Sequence, residues 1–113
     1  MILAEIYKQE DGKTVGFLVS GHSNKAPRGF DIHCAAVSMM SQSTFLCLRD
    51  YLKREMTGEA KHGKLHVILK DAPDELTEVA FQTMIIGLKE VEKLAPQIIK
   101  VREQNFSEVK LND

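Results

Sequence analysis

Between Ser20 and Asp31 the chain changes its apolar period. Upstream, "ILAEIYK" (Ile2 to Lys8) and "TVGFLVS" (Thr14 to Ser20) are rich in apolar residues, and Asp11-Gly12 lies between them. Asp-Gly is a strong hairpin signal because Gly tolerates positive φ, so two antiparallel strands are expected. From Asp31 onward, apolar residues recur at helical spacing to about Met56. The segment between, "GHSNKAPRGF", carries Gly21, Pro27 and Gly29, which prevent regular structure. A hairpin must therefore feed a long helix through an irregular loop.

The rest of the chain follows the same logic. "KLHVILK" (residues 64 to 70) alternates as a strand does. Pro73 and Asp74 open a second helix, with Leu76, Val79, Ala80, Thr83, Gly87, Val91 and Leu94 at helical spacing, and Pro96 closes it. "IIKVRE" from Ile98 gives a last strand, followed by a polar tail. The order β-β-α-β-α-β predicts an α/β (α+β) two-layer sandwich, with a four-stranded sheet and two main helices in a single domain over residues 1–113. The first helix is apolar on more than one face: Ala35, Val37, Phe45, Leu48 and Leu52, but also Met39, Met40 and Leu46. Such a helix is packed on two sides. Met39, Met40 and Leu46 are accordingly candidates for the interface of a homodimer.

Charge narrows the partners. Fifteen basic against sixteen acidic residues leave a net charge of −1, so no electrostatic attraction to nucleic acid is expected. No apolar run approaches the ~20 residues of a membrane span. The N-terminus lacks the pattern of a secretory signal, so a cytoplasmic protein with reduced thiols is expected. Cys34 and Cys47 are then free. Thirteen residues apart on one helix, they would sit ~20 Å from each other, which excludes a disulfide between them.

Cys34 is followed by two alanines, and on its own it reads as a small buried hydrophobe. Its neighbours change that reading. It falls in the first turn of a helix, where free N–H groups stabilise a thiolate. His22 closes the preceding strand, and a glycine-containing loop can return it to the helix start. Ser38, four residues on, shares the helical face of Cys34. These are a nucleophile, a base and a polar helper. Asp31 serves either as the N-cap or as a third member that orients His22. His33 points ~100° away from Cys34 around the helix and is expected at solvent or an interface. Cys47, within "TFLCL", reads as a core thiol; His62 and His66 read as solvent-facing or packed. His22, His33 and Cys34 have ligand chemistry but no metal-ligand spacing, and no phosphate-binding motif occurs, so neither a metal nor a cofactor is expected.

Gly21-His22, a loop ending in Gly29, and Asp31-Ile32-x-Cys34-Ala35-Ala36-x-Ser38 together resemble the signature of the ribosomal-processing cysteine protease family, Prp. The resemblance extends over nearly the whole chain, including "GLKEVEKLAPQIIKV", and departs at His33 and at Pro27-Arg28 in the loop. It implies a cytoplasmic bacterial endopeptidase, typically homodimeric. The implied substrate is large-subunit ribosomal protein twenty-seven, whose short N-terminal extension is removed by cleavage after a phenylalanine. By position, Cys34 is the nucleophile and His22 the base, supported by Asp31 and Ser38. The loop Gly21, Ser23, Asn24, Lys25, Ala26, Pro27, Arg28, Gly29 and Phe30 is expected to close over the substrate. The alternatives are a non-catalytic ribosome-associated binding module and a metal-binding regulatory domain.

Overall fold

The computed structural model describes residues 1–21 and 29–108. Strand β1 (Ile2–Lys8) turns at Asp11-Gly12 into β2 (Thr14–Ser20), as expected. The turn is closed by Gly12 N–H on Gln9 O (2.9 Å) and Gln9 N–H on Lys13 O (3.0 Å). Helix α1 spans Asp31–Leu46 and continues as a single π-helical turn over Cys47–Tyr51. Strands β3 (Met56–Lys61) and β4 (Lys64–Leu69) form a second hairpin, followed by α2 (Glu75–Leu94) and β5 (Ile99–Asn105). A short 3-10 turn, Phe106–Glu108, ends the described chain.

The sheet has five strands in the order β3-β4-β2-β1-β5, not four, and the element order is β-β-α-β-β-α-β. The additional strand is β3, which begins at Met56, where the first helix was expected to end, and for whose residues no strand was expected. The helix instead stops at the π turn: Leu52 N–H reaches back to Cys47 O and Arg54 N–H to Leu48 O, each at 2.9 Å. Lys53 lies between them at φ 56°. A left-handed lysine costs about 1–2 kcal/mol, so no local preference announces this stop. Nor does β3 have an apolar alternation, because it is an edge strand and five of its six residues are exposed.

β1 pairs antiparallel with β2 and parallel with β5; β4 pairs antiparallel with both β2 and β3. Ile2, Ala4 and Ile6 of β1, Phe17 and Val19 of β2, and Val67 and Leu69 of β4 share one core with the helices. Against them α2 sets Phe81, Met84, Ile85 and Leu88, with the Phe17 and Phe81 rings edge to face at 6.2 Å. Each such side chain contributes about 1.5–3 kcal/mol on burial.

Helix α1 brings less apolar bulk to this core. Beside Val37, its buried positions are Ser41 and Thr44, whose hydroxyls bond back to Val37 O (2.9 Å) and Met40 O (2.9 Å). Met39 and Leu46 are exposed, but Met40 is not: it packs toward Gly87 of α2, whose missing side chain leaves room for the thioether. Met40 is therefore a helix-to-helix contact rather than part of a leftover face.

On the opposite face of the sheet, Tyr7, Val15 and Ile68 form a smaller cluster with Leu18 and Phe106. Burial, and secondarily the Glu5 carboxylate, pushes the Tyr7 hydroxyl up to about 12. His66 meets the Tyr7 ring at 6.0 Å, and burial followed by the charge of Lys64 lowers its pKa. Both residues are thus part of the packing of this face. Among the described residues, no helix is long and apolar enough to cross a membrane.

Candidate active site

Phe30, not Asp31, is the N-cap of α1, and it supplies no side-chain cap. Its ring packs against the core, so the helix is anchored by burial rather than by a capping carboxylate. Asp31 is the first helical residue and is exposed. The first helical hydrogen bond is Cys34 N–H on Phe30 O, 3.1 Å. Consequently the backbone donors that this helix start holds ahead of its ladder are those of residues 31–33.

Cys34 is half-buried, with its inner side against the core, and opens into a groove of about 600 Å³. One wall is the flank of α1: Cys34, Ala35, Ser38, Gln42, Phe45 and Leu46. The other is the tip of the β3–β4 hairpin, Ala60 to Leu65. Ser38 lies one turn from Cys34 on the same wall, as its spacing predicts, and its Oγ accepts from Gln42 Nε2 at 2.8 Å. Asp31 does not line the groove.

Gly21 ties the end of β2 to the hairpin tip, with its N–H on Gly63 O at 3.1 Å. Its φ of 94° is costly for other residues, and a side chain there would strike the Met1 carbonyl. His22 and the loop residues Ser23, Asn24, Lys25, Ala26, Pro27 and Arg28 lie outside the described residues. Regular structure resumes after Gly29.

The other candidates separate clearly. The His33 ring rests on Phe30 at 5.6 Å, and its Nδ1 is buried with no hydrogen-bond partner among the described residues. Cys47 is half-buried at the start of the π turn, and both cysteines are free thiols. His62, expected to be solvent-facing or packed, lies in the β3–β4 turn and lines the groove with Lys61 and Lys64. Sequence reasoning missed this second wall because it missed β3. The available signal was His62-Gly63 between two lysines, a two-residue hairpin turn.

Residues 1–100 match the family model of the cysteine protease Prp. The ribosomal processing cysteine protease Prp of Staphylococcus aureus is 24% identical over 96 residues, spanning 82% of this chain and 90% of that relative. Two solved structures of the S. aureus protease are similar in fold. One, in complex with a substrate peptide, has a TM-score of 0.83 at 20% identity, covering 92% of this chain and all (100%) of that one. The other carries a covalently linked product peptide and has a TM-score of 0.78 at 21% identity, with the same coverage. SMU.848 of Streptococcus mutans shares the fold with a TM-score of 0.77 at 22% identity, covering 93% of this chain and 95% of that one.

Proposed function

From the premise that the chain belongs to the cysteine protease Prp family, we propose that it is the endopeptidase that trims the N-terminal extension of large-subunit ribosomal protein twenty-seven, cutting after a phenylalanine. The observation that carries this reading is Cys34 itself: a half-buried thiol in the first turn of α1, opening into a groove of about 600 Å³.

In this reading Cys34 and His22 act as a dyad. His22 takes the thiol proton while Sγ attacks the scissile carbonyl carbon, and the carbonyl oxygen becomes an oxyanion. The N–H groups of residues 31–33 precede the first helical bond, which supports assigning the oxyanion to them. The tetrahedral carbon then expels the amine, which leaves with the proton held on His22, and a thioester remains. Water, deprotonated by His22, attacks the thioester carbonyl. The new carboxylate departs as Sγ is released, restoring the free enzyme. Ser38 and Asp31 support this cycle, Ser38 from the groove wall and Asp31 by orienting His22. The loop of residues 21–30 closes over the bound peptide.

We place the enzyme in the cytoplasm, where its ribosomal substrate is made, and as a homodimer. Met39, exposed on α1 together with Ile32, supports the pairing, whereas Leu46 lines the groove.

Incubation with the extended ribosomal protein, followed by mass spectrometry of the products, tests the activity. A single new terminus immediately after a phenylalanine is expected; an intact substrate would overturn the reading. The dyad has its own readout. Alkylation of Cys34 should be fast in the wild type and slow in His22→Ala, and equal rates would show that the two side chains do not interact.

A further inference from the structure

The two edges of the sheet are finished differently. At the β5 edge, the outward Val101 N–H is taken by the Glu92 carboxylate of α2 at 2.8 Å, so part of that edge is covered. Among the described residues, the β3 edge has no such cover. In the β3–β4 ladder, Lys61 faces Lys64, Glu59 faces His66 and Thr57 faces Ile68, and the same register continues to Lys70 N–H on Glu55 O at 3.0 Å. In an antiparallel pair only alternate residues bond inward, so the odd-numbered positions of β3 face β4 with their backbone groups. Gly58 and Ala60 turn theirs outward, and no described residue meets them.

The side chains sort along the same alternation. Gly58 and Ala60 share the helix side of the sheet with their partners Val67 and Leu65, which belong to or pack on the core. Both are exposed, and α1 does not cover them. Thr57, Glu59 and Lys61 carry the bulk and the charge on the other side. Charged edges normally discourage strand addition, but the two outward-bonding positions, Gly58 and Ala60, are small and uncharged, and the lysines that reach the groove, Lys61 and Lys64, lie at the hairpin tip. The edge must be small at Gly58, where a side chain would run into the His66 carbonyl. Ala60 lines the same groove as Cys34.

We propose that the substrate peptide is held as an added strand on β3, its backbone hydrogen-bonded to the outward N–H and C=O groups of Gly58 and Ala60. This rests on the protease reading above and says how that site grips its substrate. The chemistry recognised is an extended peptide main chain, with alternate side chains turned toward Phe45 and Leu46 on the α1 wall. Selectivity then comes from every second side chain, while affinity comes largely from the backbone.

The test is an ester scan. A short peptide spanning the extension junction is made with one backbone amide at a time replaced by an ester, which removes the N–H and keeps the shape. Binding to Cys34→Ala is measured for each, alongside cleavage by the wild type. Strand addition predicts losses of about 5- to 10-fold at alternate positions only, with the intervening positions unchanged. Uniform losses, or none, would overturn it while cleavage of the all-amide peptide upholds the protease. An all-amide peptide that is neither bound nor cut removes the protease reading and this proposal together. Ala60→Pro deletes one outward N–H without touching the β4 ladder. It should lower kcat/KM by about tenfold while the alkylation rate of Cys34 is retained. Unchanged kcat/KM in a folded variant counts against the pairing.

Discussion

The starts of the two helices solve the same problem in opposite ways. Helix α2 begins with a complete capping box: Asp74 accepts the Thr77 N–H at 3.0 Å, and Thr77 Oγ1 accepts the Asp74 N–H at 2.9 Å. Arg54 pairs with Asp74 at 2.7 Å, and Glu78 in the first turn of α2 binds Thr14 of β2 through N–H (2.6 Å) and Oγ1 (3.1 Å). Helix α1 begins at Phe30 with no side-chain cap, and beside its first bonded N–H lies Cys34 in an open groove. A helix start whose donors are met by its own side chains holds a fold together. One that is anchored by an apolar ring leaves its first N–H groups without a cap from the N-cap side chain. The packing follows the same division, since α2 buries large apolar residues whereas α1 buries Val37, Ser41 and Thr44.

The sharpest way to test this contrast is Cys34→Ala. It should eliminate cleavage altogether and leave the melting temperature close to that of the wild type, because Ala suits a helix and the position is only half-buried. Thermal unfolding and product formation measured on one preparation check both halves. Residual cleavage would mean that the nucleophile lies elsewhere.

At the other helix the effects should fall on stability instead. Glu78→Ala strands the Thr14 N–H, at a residue that is 0% exposed. It should cost about 1–3 kcal/mol in denaturant unfolding, with cleavage retained below the transition. A loss of activity without a loss of stability would show that α2 reaches the site after all.

Asp74→Ala should lower the melting temperature by a few degrees near neutral pH, and the difference should depend on acidity. The Thr77 N–H, and then Arg54, hold the Asp74 carboxyl below its ordinary 3.8. Since its pKa is lower folded than unfolded, the stabilisation is fully present above about pH 4 and disappears as the pH falls through the folded value. Melting curves of both proteins should therefore converge in acid. A gap that persists there would assign the effect to something other than the charged cap.

The smallest effect belongs to the contact between the helices. Gly87→Ala gains helix propensity but pushes a methyl into Met40, so the net change should stay within about 1 kcal/mol. A large destabilisation would mean that the α1–α2 spacing is rigidly set by this pair.

Much of this molecule was legible before folding. Asp11-Gly12 between two apolar stretches specified the first hairpin, and Pro73-Asp74 specified the start of α2, because turn and cap chemistry acts over a few neighbouring residues. The helical period that opens at Asp31 likewise placed Cys34 in the first turn of a helix, which depends only on where that period begins. Tertiary structure decided what no local signal could. The end of α1 relies on a left-handed lysine, Lys53, flanked by the turn bonds of Leu52 and Arg54 and followed by the strand that pairs with β4. β3 itself lacks an apolar rhythm because the edge of a sheet has water on two sides. The far wall of the groove follows from that strand. His62, Ala60 and Leu65 sit opposite Cys34, more than twenty residues away in sequence, because the sheet order sets β4 and β3 beyond β2. Local chemistry thus set Cys34 at a helix start, and long-range strand pairing built the groove it faces.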